Sequence, residues 1–336
     1  MPNAKAIARA PRMSKASGNQ KNSFADVWKT KCTPKIKRTL QSMGRHWQLY
    51  LLLIPTVVFF IIFKYVPMYG LQIAFRDYVV TKGFSGSTWV GLKHFERFVN
   101  SPDFWLIIKN TLTISVFQLL ISFPLPIIIS LLLNQLRKQR SKTIIQNILI
   151  APHFISLVVL IGMVMIFLNP RNGILNQMIV AFGGEPIHFL GKPEYFKSIY
   201  VLSGVWQNTG WDTVIYIAAL SSIDPSLYEA ATVDGATRWQ KIWRIDFPGI
   251  LPVIITQLIL NCGQMLSIGY EKILLLQNPL NRVASEVIST YEYQQGILNS
   301  QFSYSTAIGL FNAVINFAIL LLVNHLAKKY SETSIL

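Results

Sequence analysis

Long apolar runs dominate the sequence after residue 46. A transmembrane helix needs about 20 mostly apolar residues, and six stretches meet that requirement. The fourth is the least apolar, because it carries Gln207, Asn208 and Asp212. The second contains Pro124 and Pro126, which predict a kink because proline removes a backbone donor from a helix. The predicted spans are residues 49–68, 108–133, 143–168, 199–220, 250–276 and 306–327.

Positive charge is unevenly distributed among the segments outside these spans. Twenty of the 31 Lys and Arg residues lie in the N-terminal tail, the second and fourth connections and the C-terminal end. Basic loops remain cytoplasmic, so both termini are predicted to be cytoplasmic. The predicted domains are a basic tail (1–46), a six-helix membrane domain (47–330) and a C-terminal tail (331–336). Residues 1–23 are predicted to be disordered, while 24–46 fits an interfacial helix and a flexible linker about equally.

Composition supports lipid as the solvent of this chain. Of its 336 residues, 51% are hydrophobic and 14% charged, against about 25% charged in soluble domains. A net charge of +16 would suit nucleic acid, but eleven of the 31 basic residues precede Trp47, so we expect no nucleic-acid partner. Cys32 and Cys262 predict neither a disulfide framework nor a metal site. The expected fold class is an all-α integral membrane protein.

The connection between the fourth and fifth predicted spans, residues 221–252, is long and rich in helix signals. Asp224 suits an N-cap and Pro225 the first helical position, so "SLYEAATV" predicts a short helix. Gly235 permits a sharp bend, and "TRWQKIWRI" predicts a second short helix with Trp239 on its apolar face. Two interpretations fit this pattern: an amphipathic loop on the lipid headgroups, or a stiff projection that contacts a partner protein.

The stretch "YEAATVDGATRWQKIWRIDFPGILP" resembles the EAA motif of ABC importer permeases. "YGLQIAFRDY", "WVGLKHFERF", "FWLIIKNTL" and "LYEAATVDGA" resemble sugar permeases of the maltose type, and "SEVISTYEYQQGILNSQFSYSTAIGLFNAVINF" is similar to the branch that imports aldouronate, rhamnogalacturonan and alginate oligosaccharides. The resemblance implies a type I ABC importer permease fold in a bacterial cytoplasmic membrane. It also implies that the 221–252 segment couples to an ATPase, through Tyr228, Glu229, Ala230, Ala231, Asp234, Gly235, Trp239 and Pro248.

The same resemblance implies several partners. These are a second homologous permease, two ATPase subunits, an extracellular solute-binding protein and an oligosaccharide substrate, with lipid around the spans. The chain has no G-x-x-x-x-G-K-[ST] phosphate loop. We therefore expect no cofactor and no enzymatic activity in this chain, and we expect the partner ATPase to bind ATP and Mg²⁺.

Two clusters of polar residues in the fourth and fifth spans are candidates for binding the substrate. Amides bond sugar hydroxyls through both donor and acceptor atoms, and an indole covers the apolar face of a sugar ring. The alternative is packing between helices, which we also expect of Asn312 and Asn316 in the sixth span. The resemblance places sugar contacts in the spans before and after the EAA segment, at Gly204 and Ile268 and at the candidates Gln207, Asn208, Trp211, Asn261, Gln264 and Met265.

The charge of the substrate stays open from the sequence. An acidic sugar needs Arg or Lys, yet neither polar cluster contains one, and Asp212 would repel a carboxylate. Lys272 is predicted near the outer end of the fifth span, where it forms an ion pair with Glu271 or is merely interfacial; a partner subunit is the other source of charge. Alternative functions are a permease for a peptide or small sugar, a secondary carrier and a membrane enzyme. The last two lack the expected ion-relay and catalytic groups.

Overall fold

The computed structural model describes residues 47–136 and 138–330. The predicted basic tail and C-terminal tail lie outside these described residues. The chain divides into two compact units, residues 1–70 and 71–336. Among the described residues, helix dominates both units, and the only strands form a two-stranded hairpin.

The first unit contains the first predicted span. Helix α1 (Trp47–Phe60) continues through a π-helical turn (Ile61–Tyr65) into α2 (Val66–Met68), and a 3₁₀ turn (Tyr69–Phe75) carries the chain past residue 70. None of the residues in the most apolar 18-residue window of this run is buried. A helix that is apolar on every side and exposed on every side is typical of a lipid-facing span.

Short elements open the second unit. Strand β1 (Arg76–Asp77) pairs antiparallel with β2 (Thr88–Trp89), with Arg76 opposite Trp89. The hairpin encloses a 3₁₀ turn (Val80–Lys82) and α3 (Gly83–Gly86), and α4 (Lys93–Val99) follows it. Phe98 of α4 is buried in an aromatic cluster with Phe104, Tyr291 and Tyr304.

The second predicted span is present as α5 (Phe104–Ser122) and α6 (Pro124–Asn134). The two helices form one apolar run of 31 residues. Pro124 and Pro126 lie in the first turn of α6, where a missing N–H is least costly. The interruption therefore occurs at Phe123, where the prolines predicted it.

The prediction of one continuous third span is wrong. Helix α7 (Gln139–Ile150) runs into a 3₁₀ turn (Ala151–Phe154), and α8 (Leu157–Phe167) leaves at 98°. Pro152 removes a backbone donor at the break, and Ser156 caps α8 by accepting the Val159 N–H at 3.4 Å. The two helices together form either a broken span or a re-entrant loop.

The fourth predicted span lies inside α10 (Pro193–Ser221), a helix of 29 residues. It follows α9 (Ile174–Ala181) and a 3₁₀ turn (Phe189–Gly191). In the part of the chain that the structure describes, four other helical runs are long and apolar enough to cross a membrane, and the α7–α8 pair makes five. The polar residues of α10 keep it out of that set, so six spans and two cytoplasmic termini stay predictions.

The fifth predicted span differs from the structure at both ends. Helix α11 (Pro225–Val233) precedes a continuous helical run made of α12 (Arg238–Lys241), a π-helical turn (Ile242–Asp246) and α13 (Phe247–Gly263). The second short helix predicted from "TRWQKIWRI" is thus the first part of this span. The span ends at Gly263 rather than at residue 276, because the backbone leaves the helix before α14 (Tyr270–Leu276).

The last elements complete the second unit. Helices α15 (Arg282–Ser285) and α16 (Ile288–Tyr293) lead through a π-helical turn (Gln294–Leu298) to α17 (Phe302–Tyr330). The last of these contains the sixth predicted span. Helix α10 is central to the packing, since its buried side chains belong to two apolar clusters. Phe196, Tyr200 and Val201 lie in one of them, and Tyr216 and Leu220 lie in the other.

Close contact between α10 and α7 depends on Gly210. A methyl group at this position would overlap the backbone carbonyl of Leu149. We predict that Gly210→Ala lowers the free energy of unfolding by about 1–3 kcal/mol, since the two backbones must separate. Gly162→Ala is the matched control, because a methyl there meets no atom within 4 Å. Thermal unfolding in detergent measures both; equal midpoints for the two variants would contradict the prediction.

Candidate substrate cavity and cytoplasmic loop

A polar cavity of about 540 Å³ lies among α5, α6, α10, α13 and the segment that follows α13. Ligand pockets typically measure about 300–1,000 Å³, so the cavity is large enough for a small saccharide. Amides, hydroxyls and two charged groups contribute to its wall. The polar lining residues are Ser115, Gln118, Ser122, Tyr200, Gln207, Asn208, Thr209, Asp212, Tyr216, Gln257, Asn261, Gln264, Ser267 and Lys272.

The structure brings together most of the residues predicted to bind substrate. Five of the six line this one cavity: Gln207, Asn208, Asn261, Gln264 and Met265. Gly204 and Ile268, which the resemblance also implied, line it too. Residues from two separate helices therefore face the same space, while their contact with a sugar stays a prediction.

Trp211 lies elsewhere. Its indole ring stacks on the imidazole of His153, with centroids 4.5 Å apart and planes 7° apart, and it meets Phe154 edge-on. It is absent from the cavity lining among the described residues. The structure thus assigns Trp211 to the junction of α10 with the broken third span.

The amides of the cavity wall also support the fold. Gln207 donates an N–H to the carbonyl of Ile155 at 2.9 Å, which is freed by the break between α7 and α8. Asn208 donates to Gly204 and lies 3.1 Å from His153 Nδ1. Asn261 donates to Gln257 of its own helix at 2.8 Å. Packing and cavity lining are therefore compatible roles for the same side chains.

Side chains from three helices hold the non-helical segment 264–269. Asn316 of α17 accepts the N–H of Leu266 and donates to Ser267 Oγ, both at 3.0 Å. Ser115 of α5 donates to the carbonyl of Met265, and Ser289 of α16 donates to that of Ile268 at 2.7 Å. Asn316 therefore makes a packing contact, as predicted, but its hydrogen bonds are to the unwound segment rather than to a neighbouring helix.

Lys272 belongs to the cavity, which corrects its predicted interfacial position. Its ammonium group donates to the carbonyl of Tyr200 at 2.8 Å and lies 4.6 Å from the centroid of that ring. Gly204 leaves room for it, since a Cβ there would be 3.0 Å from Nζ. Among the ion pairs of the described residues, none involves Lys272 or Glu271. The cavity therefore contains a cation without a carboxylate partner.

The second charged group of the cavity is distant from this cation. Asp212 follows Gly204 by eight residues on α10, a separation of about 12 Å along the helix axis. The charges are thus on different levels of the cavity, with Asp212 nearer the C-terminal end of α10. Lys272 is placed so that an anionic group at its level does not have to approach Asp212.

The 221–252 segment has the predicted helix–bend–helix form. Asp224 caps α11 by accepting the Ser226 N–H at 2.9 Å, and this hydrogen bond lowers the pKa of the Asp224 carboxyl. Gly235 has a φ of 73°, in the left-handed region that glycine tolerates. Thr237 and Gln240 form a capping box that begins α12.

Most of the predicted coupling residues are on the surface of this segment. The exposed members are Glu229, Ala230, Asp234, Gly235, Trp239 and Pro248. Ala231 and Tyr228 are half-buried. Trp239 is 65% exposed and Trp243 62%, whereas Ile242 between them is buried. The surface is thus available to a partner.

We predict that Asn316→Leu destabilises the protein by about 1–3 kcal/mol, because the buried N–H of Leu266 loses its acceptor. Asn312→Leu is the matched control: it lies one turn earlier on α17, and its buried Oδ1 has no hydrogen-bond partner. The control should unfold at or above the wild-type temperature. An unchanged thermal midpoint for Asn316→Leu would show that the hydrogen bond from Leu266 to Asn316 contributes nothing to stability.

Comparison with known proteins agrees with this architecture. Residues 122–332 match the family described as binding-protein-dependent transport system inner membrane component. The chain is 44% identical to the polygalacturonan/rhamnogalacturonan transport system permease protein YteP of Bacillus subtilis, over 90% of this chain and 94% of that protein. It is 40% identical to Protein LplB of the same organism, over 87% and 92%.

The chain is also similar to a solved structure in its three-dimensional fold. It is a bacterial ABC transporter involved in the import of the acidic polysaccharide alginate, 41% identical, with a TM-score of 0.79 over 87% of this chain and 99% of that one. The alginate transporter in complex with an alginate pentasaccharide-bound periplasmic protein superposes with a TM-score of 0.81 over 89% and 100%. The chain therefore belongs to the binding-protein-dependent transport system inner membrane component family and has the type I ABC importer permease fold.

Proposed function

We propose that this chain is the transmembrane permease subunit of an ATP-driven importer of oligosaccharides. The observation that carries the proposal is the cavity, where amides from α10 and from the end of α13 face one another. Amide groups match the alternating donors and acceptors of sugar hydroxyls. The relatives named for polygalacturonan, rhamnogalacturonan and alginate support a saccharide over a peptide.

The proposed assembly has the chain paired with a second homologous permease in a bacterial cytoplasmic membrane. An extracellular solute-binding protein delivers the substrate, as the periplasmic protein in the alginate complex supports. Two separate ATPase subunits bind ATP and Mg²⁺ and dock on the exposed surface of α11 around Glu229. Alternating access then follows when movement of the 221–252 segment displaces α10 and α13, which both line the cavity.

We further propose that the transported oligosaccharide carries carboxylates. Lys272 supplies an ammonium group at the cavity wall, and charge-assisted hydrogen bonds to a carboxylate are stronger than neutral ones. The Lys272 ammonium group already donates a hydrogen bond to a backbone acceptor, the carbonyl of Tyr200. A uronate at the level of Gly204 would satisfy the charge that the described residues leave unmatched.

The charge proposal predicts a change of selectivity in Lys272→Met. ATPase stimulation by uronic-acid oligosaccharides, measured on the reconstituted importer with its binding protein, should fall by about tenfold or more, because a charge-assisted bond is lost. Stimulation by neutral oligosaccharides should not fall. Lys197→Met is the matched control, because this lysine bonds Thr113 outside the cavity. Equal loss with both sugars would contradict a specific role for the charge.

The coupling proposal predicts that residue 235 must accept a left-handed backbone. A Cβ at this position meets no atom of this chain within 4 Å, so within the chain the effect of substitution is on backbone conformation. Gly235→Val should strongly impair uptake, whereas Gly235→Asn should retain most of it, because Asn tolerates the left-handed region and a β-branched residue does not. Uptake into proteoliposomes measures both. Normal uptake by the Val variant would show that the bend is not required.

A further inference from the structure

Asp246 is a fully buried carboxyl at the end of the π-helical turn that precedes α13. Three uncharged side chains donate to it. Tyr228 Oη donates to Oδ1 at 2.5 Å, Asn134 Nδ2 donates to Oδ1 at 3.2 Å, and Gln135 Nε2 donates to Oδ2 at 2.6 Å. Both carboxyl oxygens are therefore engaged, in a geometry that depends on all three donors.

The donors come from separate parts of the chain. Tyr228 is on α11, next to the exposed Glu229. Asn134 ends α6 and Gln135 follows it, 111 or more residues before Asp246. One carboxyl thus joins the surface helix α11, the end of the second span and the beginning of the fifth.

Among the described residues, few other contacts hold helix α11; one is a long hydrogen bond of 3.5 Å from Asn134 Nδ2 to Tyr228 Oη. Within Pro225–Val233 no residue is buried, so no apolar core fixes the helix to the spans. Lys241 Nζ also bonds Thr232 Oγ1 at 2.7 Å, but this contact is exposed to solvent. Burial and the Asp246 carboxyl raise the pKa of Tyr228, so its phenol keeps the proton that it donates.

We infer that Asp246 and Tyr228 form a latch that transmits displacement of α11 to the spans beside the cavity. A hydrogen bond is directional and short-ranged, so α11 cannot shift without either moving Asp246 or breaking the bond. Asp246 lies near the start of the 238–263 helical run, so its movement displaces that end of the run. Asn261 lies near the other end of the same run, in the cavity wall. π-Helical turns often occur at functional sites within helices, and this one ends at the latch residue.

Asp246 is therefore a positioning residue for coupling rather than a contact of the ATPase or the sugar. The inference rests on the proposed function, since it requires an ATPase to displace α11. It goes beyond that function by assigning the transmission step to a buried side-chain cluster, separately from the exposed surface on which the partner docks.

The test uses the complete reconstituted importer with Tyr228→Phe, Asp246→Asn and the double variant. Uptake per ATP hydrolysed should fall about tenfold in each single variant, because one hydrogen bond to a buried carboxyl shifts an equilibrium by about that factor. The yield of assembled complex should stay at its wild-type value. The double variant should be no worse than the single ones, because both act on the same interaction: Asp246→Asn replaces the charged acceptor of the Tyr228 hydroxyl by a neutral one, and Tyr228→Phe removes the hydroxyl that donates.

Tyr195→Phe is the matched control, since it removes a phenol hydroxyl whose ring packs on Phe189 far from α11 in sequence. It should couple normally. Wild-type uptake per ATP in both latch variants would overturn the inference, and so would a loss of assembly in proportion to the loss of uptake. Failure of the wild-type complex to assemble with an ATPase or to take up oligosaccharide would instead overturn the proposed function.

Discussion

The constraint on which the rest of the structure depends is that polar backbone groups must be paired where the chain is surrounded by apolar material. Each unpaired group costs several kcal/mol in lipid, so a helix can end within a span only where other side chains replace its bonds. At segment 264–269, Asn316, Ser115 and Ser289 supply those bonds. At the break of the third span, Gln207 bonds the freed carbonyl of Ile155.

Both breaks lie beside the cavity, and this juxtaposition links stability to function. Unwound backbone at membrane depth is tolerated where it lines a polar space, and two of the side chains that pair it, Gln207 and Ser115, also line that space. The cavity is thus a consequence of where the helices end. Lys272 fits this scheme, because its position just beyond the non-helical segment directs its ammonium group to Tyr200 and Gly204.

Much of this architecture was predictable from the sequence, for identifiable reasons. Apolar runs located the spans, prolines located the α5–α6 interruption, and the Asp224–Pro225 pair with Gly235 located α11 and its bend. Five of the six proposed substrate residues line one cavity, as the resemblance implied: two lie on α10, and the other three lie at the end of α13 and in the segment that follows it. The placement of Trp211 on His153 was not predictable, since it depends on the break of another span.

The incorrect predictions of helix ends and bends have a common physical origin. Hydropathy averages over a window and is insensitive to whether the backbone stays helical, so the ends of α13 and the bend between α7 and α8 were missed. Gly263, Gly269 and Pro152 were the available signals. The role of Asp246 was missed because its donors are 18 to 112 residues away, a separation that single-sequence patterns do not connect.

Locating the oligosaccharide in the working transporter is the most direct test of a path through the cavity. A photo-crosslinking residue would replace Asn261 in the cavity wall or Leu322, which is 61% exposed on α17. The reconstituted importer would then turn over with a labelled uronic-acid oligosaccharide delivered by its binding protein. We expect ATP-dependent labelling of position 261 and none of position 322. Labelling of neither position during active uptake, or of 322 alone, would contradict a path through this cavity.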